Sequence, residues 1–122
     1  MASFDDKPVV FFADADSWDA FLAASPPSNG VRLRQRKKSS AAPGLTYEEA
    51  LLVALCHGWI DGMMRSEDAD YVQQSFTPRR RRSPWSATNK ARVATLIETG
   101  RMRPAGQAEI DRAKADGRWD AD

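Results

Sequence analysis

The chain has a single cysteine, Cys56, and a single histidine, His57, among 122 residues. An internal disulfide is therefore excluded, and a reducing compartment is the expectation. A metal centre would have to be assembled from His57, Cys56 and carboxylates alone. No Cys-x-x-Cys, His-x-x-x-His or calcium-loop spacing occurs, so neither metal nor cofactor is expected. Long apolar runs are also missing: the longest, Ala50 to Cys56, falls far short of the roughly 20 residues of a membrane helix. The opening Met1-Ala-Ser-Phe-Asp-Asp6 carries acids where a secretory or mitochondrial signal needs bases. These absences predict a soluble, cytoplasmic protein without membrane insertion.

What is present is an ordinary globular mixture, 42% hydrophobic and 29% charged, in a length suited to one domain spanning residues 1–122. The net charge of +1 conceals segregation. Arg32, Arg34, Arg36, Lys37 and Lys38 give residues 31–47 a charge of +5, and residues 48–70 follow at −5. Residues 71–103 carry +7, from Arg79 to Arg82, Lys90, Arg92, Arg101 and Arg103 against Glu98. Segregated sign creates local fields that suit an anionic partner, whereas a mixed surface screens itself.

Pro8 to Phe12 reads as a buried strand, and Asp16 or Ser17 as the cap of a helix with Trp18, Phe21 and Leu22 on one face. Val31 to Gln35 alternates as a half-buried strand, with Arg32 and Arg34 on its outer side. Thr46-Tyr-Glu-Glu49 is a capping box. The apolar stretch behind it predicts a central core helix, which Gly58 stops. Met63 to Ser66 and Tyr71 to Phe76 predict a hairpin across the acidic turn 67–70. Ser83 or Ser86 then caps a helix with a Val93, Leu96 and Ile97 stripe, and Pro104 opens a last helix to about Asp116. The sum is an α+β domain, about four helices around a small, mainly antiparallel sheet of three to four short strands.

Thr46-Tyr-Glu-Glu-Ala50, Ala54-Leu-Cys-His-Gly-Trp-Ile-Asp-Gly62, Phe76-Thr-Pro-Arg-Arg80, Ser83-Pro-Trp-Ser-Ala-Thr-Asn-Lys90, Gly100-Arg-Met-Arg-Pro-Ala-Gly106 and Gly117-Arg-Trp-Asp120 occur in the order seen in one family. The chain resembles the bacteriocin-protection proteins, also called YdeI-like or OmpD-associated. Lys37-Lys38 falls where that family has a Lys-Lys after its second strand. The resemblance implies a bacterial role in tolerating bacteriocins or cationic antimicrobial peptides, and an association with an outer-membrane porin. Family members commonly continue into a helical segment with Ala-Lys and Thr-Arg motifs. This sequence ends at Asp122 without it, so an activity that depends on that segment is not expected of these residues.

The strongest binding candidate runs from Arg79 to Lys90. Consecutive guanidinium groups at 79–82 offer fork-shaped anion donors, and Trp85 adds a stacking face. Ser86, Asn89 and Lys90 share the first turn of a helix, whose amides attract anions. Arg34, Lys37 and Lys38 are expected as a second basic wall, with Trp59 and Asp61 from the glycine-flanked motif beside it. Two readings of Asp61 stand: a cap or ion-pair partner of an arginine among 79–82, and a ligand contact or general base. Cys56 has a nucleophile's chemistry, but adjacent helical residues point about 100° apart, so Cys56 and His57 form no dyad. A helix C-terminus also raises a thiol pKa. Cys56 is therefore expected in the core, and His57 as a packed, hydrogen-bonded residue.

The leading expectation is a small binding or stress-protection domain that holds an anionic small molecule or a partner protein. The alternatives are a small enzyme using Asp61 or Cys56, and single-stranded nucleic-acid binding through Arg79 to Arg82 and Trp85. A pI near 7.9 and the lack of any nucleic-acid fingerprint argue against the last.

Overall fold

A computed structural model describes residues 3–24, 26–80 and 83–120. After a single 3-10 turn at Phe4–Asp6 come β1 (Val9–Val10), α1 (Ala15–Ala23), β2 (Val31–Arg36), α2 (Tyr47–Cys56), β3 (Trp59–Ser66), β4 (Tyr71–Pro78), α3 (Ala87–Glu98) and α4 (Pro104–Ala115). The strands form one sheet in the order β1-β2-β4-β3. Only the β1/β2 pair is parallel; β2/β4 and β3/β4 are antiparallel. Four helices against this mixed sheet make a single α+β domain.

The core helix α2 is placed by its cap. Thr46 accepts from the Glu49 amide and the Glu49 carboxylate reaches back to the Thr46 amide at 2.9 Å, satisfying donors that a helix start leaves orphaned. Ala50, Leu51, Val53, Ala54, Leu55 and Cys56 are all buried. The Trp18 indole of α1 is locked onto the same helix, donating to the Ala50 carbonyl at 3.0 Å. Gly58 ends α2 with φ +77, a left-handed conformation that a side chain disfavours. Helix α4 seats against the same end. A Cβ on Gly106 would lie 2.4 Å from the Cys56 carbonyl oxygen, which already accepts from the Arg103 amide at 3.2 Å.

Several expectations need correction. The first strand covers only Val9–Val10, because Phe12 turns inward to meet the Trp18 and Phe21 rings at 5.6 and 5.1 Å. Helix α1 is capped by Asp14, whose carboxylate accepts from the Ser17 amide at 2.8 Å, so Asp16 and Ser17 lie inside it. The hairpin is longer than its apolar pattern suggests. Strand β3 starts at Trp59, and its register shifts between Asp61 and Met64, which interrupts the alternation on which the prediction rests. The cap of α3 is Ser86. Val93 and Leu96 are buried, whereas Ile97 is 44% exposed, so α3 docks on a narrower strip than its apolar residues suggest.

Candidate functional site

The end of β4, the start of β3 and the entry to α3 meet around a recess of about 460 Å³, walled by Asp61, Arg79, Trp85, Ser86 and Asn89. Five residues singled out for binding therefore converge. Arg79 comes off β4 with its amide donating to the Gly58 carbonyl at 2.9 Å, which ties it to the turn behind α2. Its guanidinium carbon sits 3.6 Å from the centroid of the Trp85 ring, a cation–π stack. Its Nη1 donates to the Pro84 carbonyl at 3.2 Å. The residue is only 8% exposed, and among the described residues Nε and Nη2 have no acceptor. Burial pushes its pKa down to about 10, the charges of Glu109 and Asp61 pulling up and that of Arg118 pushing down. It stays cationic at neutral pH.

Arg118 and Trp119, missed in the sequence, complete this corner. Arg118 Nη1 donates to the Ser83 carbonyl at 2.7 Å, so two arginines clamp adjacent carbonyls. The Trp119 ring lies 5.1 Å from that of Trp85. The Trp85 Nε1 and Arg118 Nη2 donors are likewise buried and find no acceptor among the described residues. Nothing local in Gly117-Arg-Trp-Asp120 signals these contacts, because they come from the return of the chain after α4.

Asp61 forms no hydrogen bond or ion pair with Arg79; its Oδ2 accepts from the Tyr47 hydroxyl at 2.8 Å. The Ser86 hydroxyl is taken up in capping, accepting from the Asn89 amide at 3.1 Å. Asn89 accepts from Arg92 at 2.9 Å, and Arg92 grips Glu48 with two donors at 3.0 and 2.8 Å. Lys90 is not among the residues that wall the recess; its ammonium lies 5.7 Å from the centroid of Trp119.

Other expected members lie elsewhere. Trp59 is buried in the core and is not among the residues that wall this recess. Arg80 is exposed and borders a smaller recess with Lys7 and Asn29. Arg81 and Arg82 lie outside the described residues. Lys37 and Lys38 line a separate recess beside Tyr47, so they are no second wall to Arg79. Arg34 is engaged by Glu67 at 2.6 Å and stacked on Tyr71 at 3.9 Å. Glu67 and Asp68 of the acidic turn therefore pair with Arg34 of β2.

Cys56 is 3% exposed, and burial pushes its thiol up. His57 bonds not to Cys56 but to Asp19, Nε2 to Oδ1 at 2.7 Å, and the other oxygen of Asp19 accepts from Arg103. Cys56, Asp19 and Arg103 border a fourth recess of about 480 Å³. Among the described residues no cluster of three or more His, Cys, Asp or Glu is arranged to hold a metal, and no helix is long and apolar enough to cross a membrane.

Residues 10–109 match a family described as a domain of unknown function, DUF8412. The chain belongs to that family. The DUF8412 span contains Asp61, Arg79, Trp85, Ser86 and Asn89 but stops short of Arg118 and Trp119, so one wall of the corner lies beyond the matched region. No curated protein and no solved structure matches the chain.

Proposed function

We propose that this domain binds an oxyanion, a carboxylate or phosphate, at the Arg79 recess. One observation carries the reading: Nε and Nη2 of Arg79, buried and without acceptors. These two nitrogens form one edge of the guanidinium, the fork that takes both oxygens of a carboxylate or phosphate. A buried donor left unpaired costs about 1–3 kcal/mol, which an anion on the fork would recover. The stack on Trp85 and the Pro84 carbonyl hold the fork in one orientation. Neither nitrogen is touched by solvent, so an anion reaches the fork only when the packing around it opens.

The biological setting we propose is protection of a bacterial cell against bacteriocins or cationic peptides, from the cytoplasm. It is supported by the ordered motifs shared with bacteriocin-protection proteins, which include Phe76-Thr-Pro-Arg-Arg80 and Ser83-Pro-Trp-Ser86. The enzyme reading has less support, since Cys56 is buried with a raised pKa and Asp61 is held by Tyr47.

The test is titration with inorganic phosphate and, separately, citrate, followed at the Trp85 indole N–H by NMR. A saturable shift that Arg79→Lys abolishes without loss of fold is expected, because lysine keeps the charge and lacks the fork. No saturable shift with either anion, or the same shift in Arg79→Lys, would overturn the proposal.

A further inference from the structure

We infer that the open end of the helix-covered sheet face is a binding site for an amphiphilic carboxylate whose head group also carries an N–H or O–H donor. The site is distinct from the Arg79 recess. Gln35 and Val72 are opposite one another across β2 and β4, and Met64 pairs with Gln74 two residues along β4. Side chains two apart on a strand share a face, so Gln35, Val72 and Met64 continue the face that α2 covers farther along. Helix α2 begins only at Tyr47, and the uncovered end is a recess of about 750 Å³. That volume lies within the roughly 300–1,000 Å³ of small-molecule sites, which are mostly apolar with a few placed polar groups.

Three chemistries converge there. Met64, 58% exposed, Val72 and the Tyr47 ring supply the apolar surface; a methionine adapts its shape to an alkyl chain. Lys37 and Lys38, just past the end of β2, supply cations on the rim, Lys37 within the field of the Asp68 carboxylate. Glu48 on the same wall is already held by Arg92 at 2.8 Å, and Asp68 offsets Lys37 in part, so of the two lysines and these two acids one positive charge is left on the rim. Gln35, 1% exposed, carries a side-chain carbonyl oxygen with no donor. An N-acyl amino acid meets all three: its alkyl chain on Met64 and Val72, its carboxylate at the lysines, its amide N–H for Gln35.

Tyr47 separates this site from the other, its ring lining one recess and its hydroxyl bound to Asp61 of the other. The experiment uses N-dodecanoylglycine below its micelle concentration, read at the Met64 methyl resonance, with N-acetylglycine and dodecyltrimethylammonium as probes of chain and charge. N-Dodecanoylglycine is expected to shift Met64 saturably; dodecyltrimethylammonium should bind at least about tenfold more weakly, the scale of one charge-assisted contact, and N-acetylglycine at least about tenfold more weakly for want of the buried chain. Met64→Glu should abolish binding, and the Lys37→Ala/Lys38→Ala double variant should weaken it about tenfold, both with unchanged melting temperature. Equal binding by the cationic amphiphile or by N-acetylglycine, no saturable shift, or full affinity in the lysine variant would overturn the inference.

Discussion

The Tyr47 hydroxyl donates to Asp61 at 2.8 Å, and that bond joins the first turn of α2 to the start of β3. Burial, and then the adjacent carboxylate, push the Tyr47 pKa from 10.0 up to about 12. The folded state thus favours the protonated phenol. Its contribution to stability is complete below pH 10.0 and is lost as pH rises toward about 12. Asp61→Asn should bring the Tyr47 titration, followed by NMR at its ring carbons, back only part of the way, because burial remains. A full return to the ordinary tyrosine value would show that burial contributes nothing.

At the acid end the corresponding group is Asp19. Burial pushes its carboxyl up, but the hydrogen bonds from His57 and Arg103 outweigh this and leave it below the usual 3.8. Its stabilising contribution is present above that value and disappears as pH falls through the lower folded-state pKa. Urea midpoints measured down the acid limb should therefore fall less steeply in Asp19→Asn than in the wild type. An identical slope would remove Asp19 from the acid response.

The cap of α2 gives a test of the core. Replacing Thr46 by Ala removes the acceptor for the Glu49 amide and should cost about 1 kcal/mol by urea denaturation. Because Ala50, Leu51, Ala54 and Leu55 are buried one turn or more beyond this cap, the loss should appear as a change in the midpoint of a single transition.

Helix α3 separates two neighbouring apolar residues. Leu96, 1% exposed, should cost about 2–5 kcal/mol as Leu96→Ala. Ile97, 44% exposed, should change stability by less than about 0.5 kcal/mol as Ile97→Gln. Comparable losses at both positions would mean that the Ile97 face is covered in solution.

Local chemistry was legible in the sequence and long-range return was not. Thr46-Tyr-Glu-Glu49 declares its helix because a capping box is satisfied within four residues. That Trp85 and Ser86 share a recess with Arg79 was legible because Arg79, the stacking partner of Trp85, lies only six residues from it. Arg118 and Trp119 were not, since their contacts with Ser83 and Trp85 span 35 and 34 residues and no local pattern encodes them. Lys37 and Lys38 were read correctly as basic and wrongly as neighbours of Arg79. Charge is written in the sequence, but which recess it borders is set by where β2 ends relative to α2.

The packing around the end of α2 turns the lone thiol into a clock. Cys56 is 3% exposed, so a maleimide reacts with the sulfur only when that packing opens. With no other cysteine to react, the labelling rate at fixed pH measures that opening, and its dependence on urea separates local fraying from global unfolding.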